Sequence, residues 1–381
     1  MGALLTRRRE YAKSRPYDAE VEYITFSGTQ YITIPICPND GTDAIEFEFR
    51  RTTSTNQVRL CRTESDNRFN LYINGSGGAA YNYIKTNGTD NGWQALNNTY
   101  NKPGVVKHIW KVDYKNNRTW LDFDQYTITN SRSKAASTGR LQICQLYSSY
   151  TRFVGQIYHV RYWRDDVLIY DLVPVRHGGV GYLYDKLSGE MYGNDGTGNI
   201  GIGMDKYTDL SEFTELEYIE NTTQVATSPY IDTGISSGAG TIDMSMTVKW
   251  GTIDSARRQL MGCNNGVFWG CDEGTYRTNA VDSEVVPSTT DFETVNMDTY
   301  TGTPSRKGPL ALFRIFESAS KANTTTTYIC NCKLAMYKIW VNNALVRHFV
   351  PVQHPGGTKG MFDKVENKFY FSANSGSFTG A

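Results

Sequence analysis

No apolar run in the 381 residues approaches the roughly 18 that a membrane-crossing helix needs, and the first residues lack the apolar core of a secretory signal. No charge excess exists either. Lys+Arg and Asp+Glu both number 39, so bulk charge favours neither nucleic acid nor a membrane surface as partner. The seven cysteines are scattered without metal-like spacing. Cys330-Asn331-Cys332 puts two thiols on one face of a strand, the wrong geometry for a zinc knuckle. The cysteines therefore read as reduced, buried, small apolar residues. Five histidines in unrelated contexts offer no Ser/His/Asp constellation, and no Gly-rich phosphate loop precedes a helix. Helical periodicity is scarce throughout.

What the chain does contain is itself, twice. Residues 157–175 read IYHVRYWRDDVLIYDLVPV, and residues 334–352 read LAMYKIWVNNALVRHFVPV. They align without a gap, setting Trp163 on Trp340, Leu168 on Leu345 and Pro174 on Pro351. After one inserted residue Leu183-Tyr184-Asp185-Lys186 meets Met361-Phe362-Asp363-Lys364, Tyr192 meets Tyr370, and Gly198 meets Gly376. A period of this length is that of a domain, not of a solenoid repeat. Alternation of apolar and polar residues marks half-buried strands. Arg164-Asp165-Asp166 and Val341-Asn342-Asn343 read as hairpin turns. The proline is expected to end the pairing, having no N–H to give the ladder. Trp163 and Trp340 are expected in the core, and Asp185 and Asp363 are expected to fix a turn.

Thirty-five Gly and 26 Tyr, with β-branched runs, argue for an all-β class. The chain divides into a basic arm (1–17), a first domain (18–203), a short polar linker (204–214) and a second domain (215–381). Val21-Glu22-Tyr23-Ile24 matches Leu216-Glu217-Tyr218-Ile219 at the start of each copy. Residues 44–50 and 242–248 alternate strictly, as long strands with one buried face do. Residues 106–113 and 119–123 form a hairpin about Lys115-Asn116-Asn117. The stretch from Gly75 to Asn101 reads as loop.

The opening EYI…YI and a closing motif, W-x4-L-x4-VPV followed by a Gly-rich turn and DK-x5-Y, both present in each copy, resemble the laminin-G-like, concanavalin-A-like jelly rolls of tailed-phage virion proteins and gut-bacterial surface proteins. The resemblance implies two tandem antiparallel β-sandwiches behind an extended basic arm. It implies a virion structural or decorating protein of head or tail, with other virion proteins as partners. Its alternative is a fibre or adhesion module that binds host-surface or mucosal glycans. A homo-oligomer is a further partner class. No nucleic acid, membrane or cofactor is implied. Some relatives bind calcium, but no single loop here assembles the oxygen ligands that ion needs.

Enzymatic jelly rolls of this kind carry Glu-x-Asp-x-x-Glu on one strand. Glu46-Phe47-Glu48 and Asp122-Phe123-Asp124 share faces but lack the third carboxylate, so no catalytic residue is assigned. Aromatic and polar side chains converge in 81–93, which copy two lacks at comparable length. Tyr81, Tyr83, Asp90, Asn91 and Trp93 are the glycan-binding candidates. The same stretch could instead pack on a neighbouring subunit. In the arm, Leu4 and Leu5 with Arg7, Arg8, Arg9, Lys13 and Arg15 face Glu10 as the lone acid. Such a segment is an interaction tail, and these residues are the candidate anchor to a partner's carboxylates.

Overall fold

Alternation along Asp43–Arg51 sets the centre of the first sheet. Ile45, Phe47 and Phe49 are wholly buried, while Glu46, Glu48 and Arg50 keep contact with solvent. In the computed structural model the described residues are 15–52, 58–64, 70–73, 80–86, 89–95, 107–121, 124–128, 136–145, 153–225, 228–236, 240–251, 253, 258–263, 268–272, 275–278, 286–300, 309–318, 321–322, 329–374 and 376–381. They divide between Lys206 and Tyr207 into two units. Both are built of strands. The described residues contain no α-helix, only a 3-10 turn at Leu210–Glu212 capped by Asp209.

The long sheet of unit one runs in the order Asp124–Thr127, Arg118–Leu121, Lys107–Asp113, Asp43–Arg51, Val154–Arg164, Val167–His177, Val180–Asp185, Met191–Tyr192. The other sheet runs Ile32–Ile34, Leu141–Ile143, Val58–Thr63, Asn70–Ile73, Ala80–Thr86, Thr89–Ala95. One apolar core joins their inner faces. Phe47, Phe49, Trp110 and Val112 from the first sheet pack with Ile34, Leu60, Leu71 and Ile143 from the second. Unit two repeats the long sheet as Glu293–Tyr300, Ile242–Trp250, Cys332–Val341, Ala344–Gln353, Lys359–Asp363, Lys368–Tyr370. The units are antiparallel β-sandwiches. The described exception in unit two is a parallel register of Met261 to Cys263 on Arg314 to Phe316.

The two tryptophans of the repeat do not lie in the core. Ile157 pairs with Phe49 and the next partner is His159 on Glu48, so Tyr158 is an extra, bulged residue. Unit two has the same bulge at Ala335, between Leu334 on Val248 and Met336 on Thr247. A bulge shifts the alternation by one. Val160 and Tyr162 therefore point inward with Ile157, and Tyr337 and Ile339 with Leu334. Trp163 and Trp340 are turned to the outer face and are half-buried. There the Lys111 ammonium lies 4.3 Å from the Trp163 ring centroid and 5.7 Å from that of Trp120.

Nor do the prolines end their strands. Val167–His177 and Ala344–Gln353 run through Pro174 and Pro351, which stay paired with Leu183 and Met361. Their carbonyls accept from Val21 and Leu216 on the opposite edge. Carbonyl and nitrogen of one strand residue face the same way, so the missing N–H lies on that edge. The pairing with Val154–Arg164 has already ended there, its last register point being Val160 on Leu172. The pairing with the next strand loses no bond.

The hairpin turns form as expected. Asp165 and Asp166 have φ of 50° and 67°, and Asn342 and Asn343 have 51° and 64°. Two left-handed residues in a row give the twist that a two-residue hairpin needs, and Asp and Asn tolerate them. Cys61, Cys144, Cys271, Cys330 and Cys332 are buried, and Cys37 is exposed. Burial pushes the Cys61 thiol up to about 12, keeping it protonated.

Residues 204–214 are tied to the sandwiches. Arg176 holds Asp205 at 2.9 Å, and Lys206 N–H donates to the Glu20 carbonyl in unit one. Phe213 is buried among His354, Phe362 and Phe369 of unit two. At the arm's end Tyr17 is buried against Val173, Val175 and Tyr184, while Arg15 is exposed.

The face assignment predicts a ranking. Ile339→Ala should cost unit two about 2–5 kcal/mol, and Tyr162→Ala should likewise destabilise unit one. Trp340→Ala and Trp163→Ala should each cost less than the substitution beside them. Denaturant unfolding followed by hydrogen exchange in each unit measures this. A larger loss at either tryptophan would reverse the assignment.

Candidate functional site

Asp185 and Asp363 occupy the same place in both units and are wholly buried. Asp185 Oδ1 accepts from the backbone N–H of Asp171 at 2.9 Å and of Leu187 at 3.2 Å, and its Oδ2 accepts from Ser188 N–H and hydroxyl. Asp363 Oδ1 accepts from His348 N–H at 2.7 Å and Val365 N–H at 3.1 Å. Each carboxylate closes its own turn and clasps the neighbouring strand. The Asp185 oxygens are taken by backbone N–H groups and the Ser188 hydroxyl, and Asp363 Oδ1 by two backbone N–H groups with Arg347 Nε 3.7 Å from its Oδ2, so each carboxylate is a fixture of the fold.

A second buried constellation has a catalytic look. Asp43 accepts from the Tyr162 hydroxyl at 2.5 Å, from Arg164 at 2.8 and 2.9 Å, and from Asn39 N–H at 2.7 Å. Burial alone would raise its pKa. The bonds from Arg164, Tyr162 and Thr42 outweigh that and hold the carboxyl below the ordinary carboxylate value. Burial, reinforced by Asp43, pushes the Tyr162 phenol well up. The long sheets show what this cluster is for. Asp43 and Arg164 are register partners, as are Ile242 and Val341, and Tyr162 corresponds to Ile339. Unit two fills the same space with three aliphatic side chains. The cluster is one of two solutions to one packing problem.

On the outer face of the long sheet, Glu46 pairs with Arg161 at 2.8 Å, and Glu48 pairs with Lys107. Burial lowers the Lys107 ammonium, but Glu48 and Tyr158 prevail and its pKa lies above the usual lysine value. His159 sits 2.6 Å from Asp171, yet burial, helped by Arg161, leaves its pKa lowered. These are cross-strand pairs of the kind that hold a sheet together. Of the other carboxylate pair, Asp122 is outside the described residues, and so is the side chain of Asp124. Among the described residues no group of three His, Cys, Asp or Glu could hold a metal ion.

The expected loop at 81–93 is a hairpin. Ala80–Thr86 pairs with Thr89–Ala95 at the edge of the second sheet. Tyr83 and Trp93 take opposed backbone positions, Asp90 opposes Lys85, Tyr81 opposes Ala95, and Asn91 lies beside a register shift. The side chains of all five candidates are outside the described residues. Its sequence signal was Asn87-Gly88 between two β-rich runs, a strong hairpin dipeptide. In the arm, Leu4, Leu5, Arg7, Arg8, Arg9 and Lys13 are outside the described residues. Arg15 lies 5.9 Å from the Tyr17 ring centroid.

Sequence reading missed a cleft of about 380 Å³ in unit one. Thr29, Tyr31, Gln145, Asp195, Gly196 and Thr197 line it, with the buried Gln30 and Cys144. Residues 194–198 run along the free edge of Ile32–Ile34 and satisfy it. Tyr31 N–H donates to Asn194 Oδ1 at 3.1 Å and Thr33 N–H to Asp195 Oδ2 at 2.9 Å. Asp195 and Thr197 N–H return bonds to the carbonyls of Tyr31 and Thr29. A Cβ on Gly196 would sit 2.2 Å from the Thr29 carbonyl oxygen, so only glycine permits this approach. Three segments, at 29–31, 144–145 and 195–197, build the cleft, so no local motif announces it.

No protein-family model matches the chain, and no curated protein matches it. Among solved structures it is similar to mouse laminin α1 domains LG4–5, at 7% identity over 86% of this chain and 92% of that one, with a TM-score of 0.31. It is also similar to NanB solved with Optactamide, at 8% identity over 89% and 74%, with a TM-score of 0.25. The sandwich assignment rests on the sheet order itself.

The Asp43 cluster predicts acid sensitivity of unit one. Its carboxyl pKa is depressed on folding, so its contribution is complete above the unfolded value of about 3.9. It is lost as pH falls through the lower folded value. At neutral pH Asp43→Asn should cost about 3 kcal/mol, the low end for breaking a buried pair, because Arg164 reaches solvent. It should also flatten the acid limb of unit one. Replacing Asp43, Tyr162 and Arg164 together by Ile, Ile and Val should cost less than Asp43→Asn alone. Urea unfolding between pH 2 and 7 reads both, and an unchanged acid limb in Asp43→Asn contradicts the assignment.

Proposed function

We propose that this chain is a non-enzymatic display protein, two lectin-like β-sandwiches carried on a larger particle by a basic arm. The tailed-phage virion, head or tail, is the setting that the closing motif's resemblance implies. The observation that carries the non-catalytic reading is the pairing of Glu46 with Arg161 and of Glu48 with Lys107. Glu46 and Glu48, which share a strand face as a glycosidase pair would, are bound to cations of neighbouring strands. The doubling of the whole domain supports display, since two copies present two surfaces from one anchor. A second reading, glycan adhesion, is favoured by the cleft of unit one.

The test is assembly. Tyr17 is buried in unit one, so a truncation that removes residues 1–15 spares the domain. The truncated chain should fold and should fail to incorporate into particles. Association of the full chain should weaken as salt rises, because exposed charges are screened within about 10 Å at 0.1 M. Incorporation of the truncated chain at full occupancy would move the contact to the domain faces. Release of reducing ends from a polysaccharide by the full chain would overturn the non-enzymatic reading.

A further inference from the structure

We propose that the cleft beside Tyr31 and Asp195 binds one uncharged sugar residue, and that unit two has no counterpart of this site. The inference deepens the adhesion reading and rests on it. At about 380 Å³ the cleft lies at the small end of ligand sites and suits a single ring with its linkage. Tyr31 is half-buried and lends an aromatic ring to the lining, the partner an apolar sugar face stacks on. Asp195 is exposed. Its Oδ2 takes one N–H from Thr33, and a carboxylate has further acceptor sites for sugar hydroxyls. The Thr29 and Thr197 backbones are locked together, with the Thr29 hydroxyl donating to the Thr197 carbonyl at 2.8 Å. The wall is therefore formed before any ligand arrives, which reduces the ordering that binding requires.

Charge decides which sugars enter. Among the described residues no lysine, arginine or histidine lines the cleft. The nearby Arg140 is held by Glu64 through bonds of 2.7 and 3.0 Å. A carboxylated or sulfated sugar would meet the Asp195 carboxylate, and the one described cation near it, Arg140, is already paired with Glu64. Unit two differs at the decisive positions. Ala373 stands where Asp195 does, its N–H donating to the Tyr230 carbonyl as that of Asp195 does to Tyr31. Phe313 stands where Cys144 does; both have left-handed φ, 69° and 63°, and both N–H groups donate to the matching leucine, Leu260 or Leu60. Copy two thus keeps the backbone device, lacks the carboxylate, and has Phe313 packed on Phe378 at 5.1 Å.

The test is titration of the full chain with glucose, galactose, mannose and N-acetylglucosamine, with glucuronate as the charged control, read by calorimetry and ligand-observed NMR. At least one neutral sugar should bind with one site per chain and in preference to glucuronate. Tyr31→Ala and Asp195→Ala should each weaken it by roughly tenfold, about the effect of losing one good contact. Thr197→Trp, at an exposed position, should block the cleft without touching the core. Trp163→Ala, on the outer sheet face, should leave binding unchanged. No binding of any neutral sugar, tighter binding of glucuronate, or binding that survives Thr197→Trp would each overturn the proposal. Thr197→Trp should still incorporate into particles, so a failure of this site is distinguishable from a failure of the display reading.

Discussion

Each sandwich depends on one buried carboxylate. Strand Val167–His177 must leave its partner Val154–Arg164 and continue against Val180–Asp185. At that handover the Asp171 N–H is taken by Asp185 Oδ1, and the Asp171 carbonyl is taken by Lys186 N–H. Unit two makes the same exchange between His348, Asp363 and Lys364. A buried acceptor without donors would cost several kcal/mol. Here one oxygen of each carboxylate and the strand supply each other's missing partners. The turn, the strand direction and the closing edge of the sheet all follow from that reciprocity.

The clasp also explains why the two copies can differ so widely elsewhere. With the backbone handover held, the interior between the central strands needs only to be filled and satisfied. Unit one fills it with an aspartate, a tyrosine and an arginine that satisfy one another, and unit two with two isoleucines and a valine. Volume and pairing are met in both, and cores accept either when packing is kept. The same latitude lets the edge loop of unit one carry Asp195 where unit two carries Ala373.

Part of this was legible in the residues. The repeat, the all-β class, the Asp-Asp and Asn-Asn turns and the structural role of Asp185 and Asp363 followed from spacing and turn chemistry. The faces of the closing strands did not. Unbroken alternation puts Trp163 on the side of Ile157, and one bulged residue, Tyr158, moves it to the other. Tyr158 and Ala335 share no side-chain chemistry, so nothing at the position marks the bulge. The strands through Pro174 and Pro351 were misread for a related reason. Whether a missing N–H breaks a ladder depends on which edge it faces, and only the neighbouring strands decide that.

The sequence by itself determined where most of the repeated strands and their turns lie, because local alternation and left-handed residues act over a few neighbours. It also determined that there are two copies, because the closing motif is written twice. Tertiary structure alone decided which residues of the closing strands face water. It alone brought Tyr31, Gln145 and Asp195 to one cleft. Those outcomes depend on register between strands more than 100 residues apart, where one bulge or one satisfied edge changes the partner and no local pattern records it.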